Sequence, residues 1–345
     1  MSDSFDGRYH DADEDYIEER PRKRSKWVIA NILIVILGLV ALAGVYGFSQ
    51  LNNFQGKSHT FESSFPDEDG RPENTGATNI LLLGSDSRGG SGESENLPTV
   101  PNGGRADTMM VVHIPEGGGK AYVMSIMRDF WVEIPGHGEA KINAALSYGG
   151  VPLAVETVEN MMGIYIDHVA GVDFEGFRDV VNALGEVTID VPKAFDSGVK
   201  KGHHFAEGPQ TMDSETALAF VRERKAFSDG DYQRVRNQQA FMKGVFTQLG
   251  SRDILLNPGK TTETINSLAP AVTLDENFDT FTMLGLAPQM AGIRGSDIKN
   301  FTLPNTGTGW AQQQSVVWPD KDKIKELGEA INNNTLESWL SSQDL

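Results

Sequence analysis

From Trp27 to Phe48 the chain runs WVIANILIVILGLVALAGVYGF, an apolar stretch that carries no charge. A helix needs about 20 such residues to cross the hydrocarbon of a bilayer, so the length predicts a transmembrane helix. Arg20, Arg22, Lys23, Arg24 and Lys26 lie just before it, whereas Lys57 is the one Lys or Arg between it and Asp67. The positive-inside rule then puts the N-terminus in the cytoplasm and everything after Phe48 outside. A cleaved signal peptide is the competing reading, since Ala41 and Ala43 offer a small-residue pair. The apolar core is longer than the ~7–15 residues of a signal sequence, which favours the anchor. The sequence thus divides into an acidic tail predicted to be disordered over 1–26, a membrane helix over 27–48, a polar linker over 49–76 and one outer domain over 77–345.

The chain has 345 residues, 39% of them hydrophobic, which is enough for a packed core. Its 48 acidic and 30 basic residues give a net charge of -18. That charge repels a phosphate backbone over most of the surface, so nucleic acid is not an expected partner. With no cysteine, disulfides and thiolate metal sites are excluded. There is no Gly-x-x-x-x-Gly-Lys-Ser/Thr loop and no His-Glu-x-x-His pair. The adjacent His203 and His204 follow Lys200 and Lys201 in a polar stretch that reads as an exposed loop.

Short apolar runs at Asn79–Gly84, Thr108–Ile114 and Ala121–Ile126 are bounded by Gly, Pro or charged residues and read as buried strands of one sheet. Further strands are expected at His168–Val172, Val187–Val191, Ile298–Leu303 and Ser315–Val317. Helical periodicity covers Pro152–Met162, Phe174–Leu184, Ser214–Val221, Gln233–Leu249 and Lys321–Ile331. This mixed order implies an α/β domain, an α/β/α sandwich with a central mixed sheet.

Four segments place charge where strands end or helices begin. Gly84-Ser85-Asp86-Ser87-Arg88 follows the first strand and brings Asp86 and Arg88 to the lip of the sheet. Arg105-Ala106-Asp107-Thr108 leads into the second, so Asp107 can meet Asp86 if the strands are neighbours, and two hard carboxylates suit Mg²⁺. Arg128-Asp129 ends the third strand and Lys141 follows a turn, so two cations flank one place. The fourth segment is AFVRER followed by DGDYQRVRNQ. In extended chain Arg222 and Arg224 point to one side, and Asp231, Arg234 and Gln238 at i, i+3 and i+7 share a helix face. A cluster of arginines in an acidic protein calls for an anion, and arginine forks bind phosphate bidentately. Several of them around a diphosphate with Mg²⁺ is what phosphoryl transfer requires.

In order along the chain, NILLLGSDSR, RADTMMVV, SIMRD, KINAALSYGG, ALAFVRER and DGDYQRVRNQQ resemble the motifs of the LytR-CpsA-Psr family of membrane-anchored cell-wall ligases. The resemblance covers about Asn79 to Gly250, with an echo at Gly307-Thr308-Gly309-Trp310 and Gln314-Ser315-Val316-Val317. It implies transfer of a glycopolymer from a polyprenyl-pyrophosphate carrier to a peptidoglycan acceptor, leaving a phosphodiester link, in an α/β/α sandwich with a lipid tunnel at the cell membrane. It further implies that Asp86 and Asp107 hold Mg²⁺. Arg128, Arg222, Arg224 and Asp231 would be catalytic, with Arg88, Lys141, Arg234 and Gln238 binding the substrate. Met127 stands where the family often has Pro, while the following Arg is kept. The separate C-terminal domain of some relatives is not expected. Asp129 and Asp231 are candidate proton acceptors, neither favoured by sequence. Two other readings use the same residues: an exported polyprenyl-pyrophosphate phosphohydrolase with water as acceptor, and a noncatalytic binder of wall polymer.

Overall fold

In a computed structural model of the chain, the structure describes residues 44–61, 63–85, 106–249, 251, 254, 257–290 and 293–343. The chain divides into two units, residues 1–47 and 48–345. Of the expected membrane span only residues 44–48 are described, and they are helical. Among the described residues no helix is long and apolar enough to cross a membrane.

The larger unit is built on a seven-stranded sheet. Its members in chain order are β1 (His59–Thr60), β2 (Thr78–Ser85), β3 (Ala106–Ile114), β4 (Ala121–Ile126), β7 (His168–Val172), β12 (Thr273–Leu274) and β13 (Ile298–Thr302). The intervening strands are β5 (Trp131–Ile134), β6 (Gly138–Lys141), β8 (Val187–Val191), β9 (Phe195–Asp196), β10 (His204–Phe205) and β11 (Gly208–Met212), and β14 (Asn305–Ala311) and β15 (Gln314–Pro319) follow. Spatial order in the sheet is β1-β12-β7-β2-β3-β4-β13. The sheet is mixed: β2 runs antiparallel to β3 and parallel to β7, and β4 runs antiparallel to β3 and parallel to β13.

Side chains alternate between the two faces of these strands, and both faces are buried, which explains why the sequence reads as continuous apolar runs. Leu81, Leu83, Met109, Val111, Tyr122 and Met124 face a core completed by α1 (Ala144–Met162) and α7 (Lys321–Asn332). Met110, Val112 and Val123 face the other side, where Met242 and Phe246 of α4 (Gly230–Leu249) cover them. Helices on both faces make a three-layered arrangement. A second core joins β8 to Phe205, to α2 (Phe174–Ala183) and α3 (Ser214–Arg222), and to the far side of α4.

Caps set the helix starts. Asp173, Asp213 and Asp320 accept hydrogen bonds from the backbone N–H of Gly176, Thr216 and Lys323 at the starts of α2, α3 and α7. Helix α1 begins eight residues before the expected Pro152 and is kinked at Gly149 and Gly150. Gly150 takes φ 68, where a side chain would be strained. Helices that the periodicity does not predict include α5 (Pro258–Leu268), α6 (Thr280–Met290) and α8 (Leu336–Ser341).

Within the stretch read as a linker, β1 pairs with β12 at the sheet edge and Phe61 is buried in the main core. Arg71 is also buried. It donates to Glu159 of α1 at 2.8 Å and to the carbonyl of Ile166 at 2.8 Å, with its guanidinium 3.9 Å from the Tyr165 ring centre. Much of residues 49–76 therefore packs as part of the domain.

Candidate active site

The ends of β3 and β4, the β6 strand and the start of α4 converge on one cavity of 1430 Å³. One end of its wall is charged: Asp107 and Thr108 on β3, Arg128 and Asp129 after β4, Lys141 closing β6, Arg222 at the end of α3 and Arg224 just after it, and Arg234 and Gln238 on α4. The remainder is apolar, with Met110, Val172, Phe177, Leu218, Val221, Phe241, Met242, Val245, Phe246, Leu249 and Leu268 among the lining residues. A polar mouth joined to an apolar cavity suits an amphipathic ligand with an anionic head.

The charged end is organised around Asp231, at the start of α4. Its Oδ2 lies 2.8 Å from Arg234 Nη2 and 3.3 Å from Arg128 Nε, and its Oδ1 lies 2.7 Å from Arg224 Nε. Asp107 accepts from Arg128 Nη1, and Lys141 Nζ lies 2.9 Å from Asp129. Gln238 donates to the hydroxyl of Thr108 at 2.8 Å and so pins α4 to β3. Arg222 lines the cavity and is exposed. Five cations thus stand against the three carboxylates Asp107, Asp129 and Asp231.

That excess is not fully compensated. Burial pushes the Arg234 guanidinium below its ordinary pKa, Asp231 offsets this in part, and Arg128 and Arg224 push it down further. Burial also works against the charge of Arg128, but Asp231, Asp107 and Asp129 outweigh it and hold its pKa above the usual value. The Nε atoms of Arg128 and Arg234, both buried, make no aligned hydrogen bond. Buried guanidinium N–H groups without an aligned acceptor are costly, and phosphate oxygens would satisfy them.

The Arg222–Arg224 pair is shaped by a residue that the sequence alone does not single out. Glu223 is fully buried between them and is the extended cap of α3. Its Oε2 accepts from Ser197 Oγ and from the backbone N–H groups of Gly198 and Val199. Its Oε1 accepts from the backbone N–H groups of Arg224, Lys225 and Ala226. Burial raises the pKa of this carboxyl, but the hydrogen bonds win and hold it below the usual range. With Glu223 turned inward, the arginines on either side turn to the cavity. Its signal lies in the alternating charge of Arg222-Glu223-Arg224, where an odd residue out points to the opposite side.

Asp86 and Arg88 lie outside the described residues. Strand β2 ends at Ser85, whose partner across the ladder is Ala106. Among the described residues no group of three or more His, Asp or Glu is placed to hold a metal ion. Asp107 does present a hard carboxylate on the cavity wall next to the Thr108 hydroxyl, and that donor chemistry fits Mg²⁺.

A family model described as the LytR_cpsA_psr family matches residues 46–333. The probable cell wall biosynthesis protein LcpB of Corynebacterium glutamicum is 34% identical over 269 residues, which is 76% of this chain and 62% of that protein. The chain therefore spans less than two thirds of that relative's length. A polyisoprenyl-teichoic acid–peptidoglycan teichoic acid transferase, TagU of Bacillus anthracis, is 32% identical over 264 residues, 73% of this chain and 80% of the relative. The crystal structure of B. subtilis TagV aligns with a TM-score of 0.62 at 26% identity, covering 77% of this chain and 99% of that one.

Proposed function

The chain belongs to the LytR-CpsA-Psr family, and on that premise we propose that it is a cell-wall glycopolymer transferase: it moves a glycan phosphate from a polyprenyl-pyrophosphate carrier to peptidoglycan. The observation that carries this reading is the joining of an under-compensated arginine cluster to a long apolar cavity in one continuous space. A polyprenyl chain occupies the apolar part, and the pyrophosphate lies among Arg128, Arg222, Arg224 and Arg234. The relative TagU is named for transfer of teichoic acid from a polyisoprenyl carrier to peptidoglycan, which supports this reading.

In this mechanism the arginines hold the diphosphate in line and neutralise charge as it shifts towards the leaving phosphate. The acceptor hydroxyl oxygen bonds to the phosphorus that carries the glycan. The bond from that phosphorus to the bridging oxygen breaks, and polyprenyl phosphate leaves. Asp129 takes the hydroxyl proton: it lines the cavity and holds Lys141 at 2.9 Å, whereas Asp231 is engaged by three arginines. Asp107, with Asp86, would hold Mg²⁺, which supplies charge neutralisation at the diphosphate. The apolar run at 27–48 anchors the protein in the cell membrane with the catalytic domain outside, next to its lipid-borne donor.

The test is transfer of labelled glycan from such a donor to peptidoglycan oligomers by the purified protein. Arg222→Ala is expected to lose transfer while its circular dichroism and melting curve stay those of the parent chain. Normal transfer by the folded variant would sink the assignment.

A further inference from the structure

Trp310 is the most exposed large apolar side chain among the described residues, 75% open to solvent. It stands near the tip of the β14–β15 hairpin, where Ala311 pairs with Gln314 and Gln312-Gln313 form a two-residue turn. Both turn residues are left-handed, at φ 47 and 63, a conformation such hairpins normally give to Asn or Gly. The hairpin is nevertheless firmly placed. The N–H of Val317 donates to the carbonyl of Asp129 at 2.9 Å, and Tyr232 on α4 donates to Asn305 at 2.8 Å. It is thereby tied to two of the elements that carry the arginine cluster, the loop after β4 and α4.

Trp310 is the ladder partner of Ser315, and directly paired residues project to one face of a ribbon. Ser315 and Gln314 line the cavity, as does Tyr148, half exposed, whose ring stacks on His137 at 4.9 Å. Tyr148 is therefore an accessible aromatic face on the cavity wall, and Trp310 is a second one beside the lining residue Ser315, in a row of exposed amide and hydroxyl groups. No residue from Asn305 to Ser315 is ionisable, so the hairpin offers no counter-charge to a polyanionic chain. Flat aromatic faces with neutral hydrogen-bonding groups match the apolar and hydroxyl-bearing sides of sugar rings.

We propose that the tip of this hairpin, with Tyr148 of the cavity wall, is the subsite for the uncharged sugar rings of the acceptor glycan strand. It stacks them on Trp310 so that an acceptor hydroxyl reaches the pyrophosphate. This rests on the transferase reading for its meaning, but the site is tested by binding alone. The experiment is co-sedimentation of the full-length protein in detergent with peptidoglycan sacculi stripped of secondary polymer, alongside Trp310→Ala and Trp310→Phe. A soluble glycerol-phosphate polymer is titrated in as competitor.

Loss of one stacked ring is expected to weaken sacculus binding by about five- to tenfold. Trp310→Phe should recover most of it, and the anionic polymer should compete poorly. Equal binding by Trp310→Ala and the parent chain, or no binding by the parent chain, overturns the subsite, as does tight competition by the anionic polymer at this position. Weakened binding in a protein that forms no wall conjugate keeps the subsite and rejects the transferase reading, so the two fail separately.

Discussion

Arg128 Nε lies 3.3 Å from Asp231 Oδ2, joining the loop after β4 to the first turn of α4. Asp231 also holds Arg224 and Arg234, so one carboxylate keeps three guanidinium groups close enough to grip one diphosphate. Removing its charge leaves three partly buried cations facing each other. Asp231→Asn is expected to cost about 2 kcal/mol of stability in the free protein. Added inorganic pyrophosphate should restore more of the melting temperature in the variant than in the parent chain. Equal melting temperatures without ligand would contradict this role.

Glu223 predicts a different phenotype. Glu223→Gln exchanges an acceptor for a donor against a ring of N–H groups, and about 2–3 kcal/mol of stability should be lost. Arg222 and Arg224 are then less well aimed, so the KM for the lipid donor should rise along with the fall in kcat. Denaturant titration with donor kinetics reads both effects, and an unchanged folding midpoint would remove Glu223 from the account.

The acid limb of stability should carry the signature of His113. Its Nδ1 donates to Asn79 Oδ1 at 2.8 Å, because the Asn79 amide nitrogen is committed to the Tyr165 carbonyl. The Nε2 is buried without a partner, and burial lowers the pKa from 6.5 to about 4. The unfolded chain therefore binds this proton more readily than the folded one. Stability is full above pH 6.5 and is lost as pH falls from there towards 4, by about 3 kcal/mol in all. His113→Gln should flatten the pH dependence over that window; an unaltered slope would show that another group governs it.

The apolar cavity makes a prediction about donor length. Ala170 on β7 lines it, and Ala170→Phe projects a ring into open space, with little cost in packing. A long polyprenyl donor should lose about tenfold in kcat/KM, by the ~1.4 kcal/mol that corresponds to tenfold. A donor with a short prenyl chain should be processed as before. Equal losses for both would place the lipid elsewhere.

What the sequence made legible follows from burial. Strands β2, β3 and β4 are covered on both faces, so each reads as a bare apolar run between polar ends. Helices α5 and α6 escaped because PGKTTETINSL has little apolar periodicity and TFTMLGLAPQM is apolar without a clear face. The polar stretch before the domain hid β1 and Arg71, whose burial depends on distant partners, β12 and Glu159, that no local pattern announces. In the candidate site, Asp107, Arg128, Lys141, Arg222, Arg224, Arg234 and Gln238 line one cavity as their positions at element ends suggested. The organising place of Asp231 among three arginines, and the inward turn of Glu223, come from tertiary geometry. A charged residue between two arginines looks exposed until the loop at Ser197–Val199 is seen to cap it.

Whether a glycan phosphate is joined to the wall is read directly from the product. The measurement is mass spectrometry of the reaction of the purified protein with a polyprenyl-pyrophosphate glycan, peptidoglycan oligomers and Mg²⁺. The expected product is a conjugate in which one phosphate bridges glycan and peptidoglycan, with polyprenyl phosphate released, and it is lost in Arg222→Ala. Free glycan phosphate with no conjugate would contradict transfer and identify a hydrolase that uses the same arginines with water as acceptor.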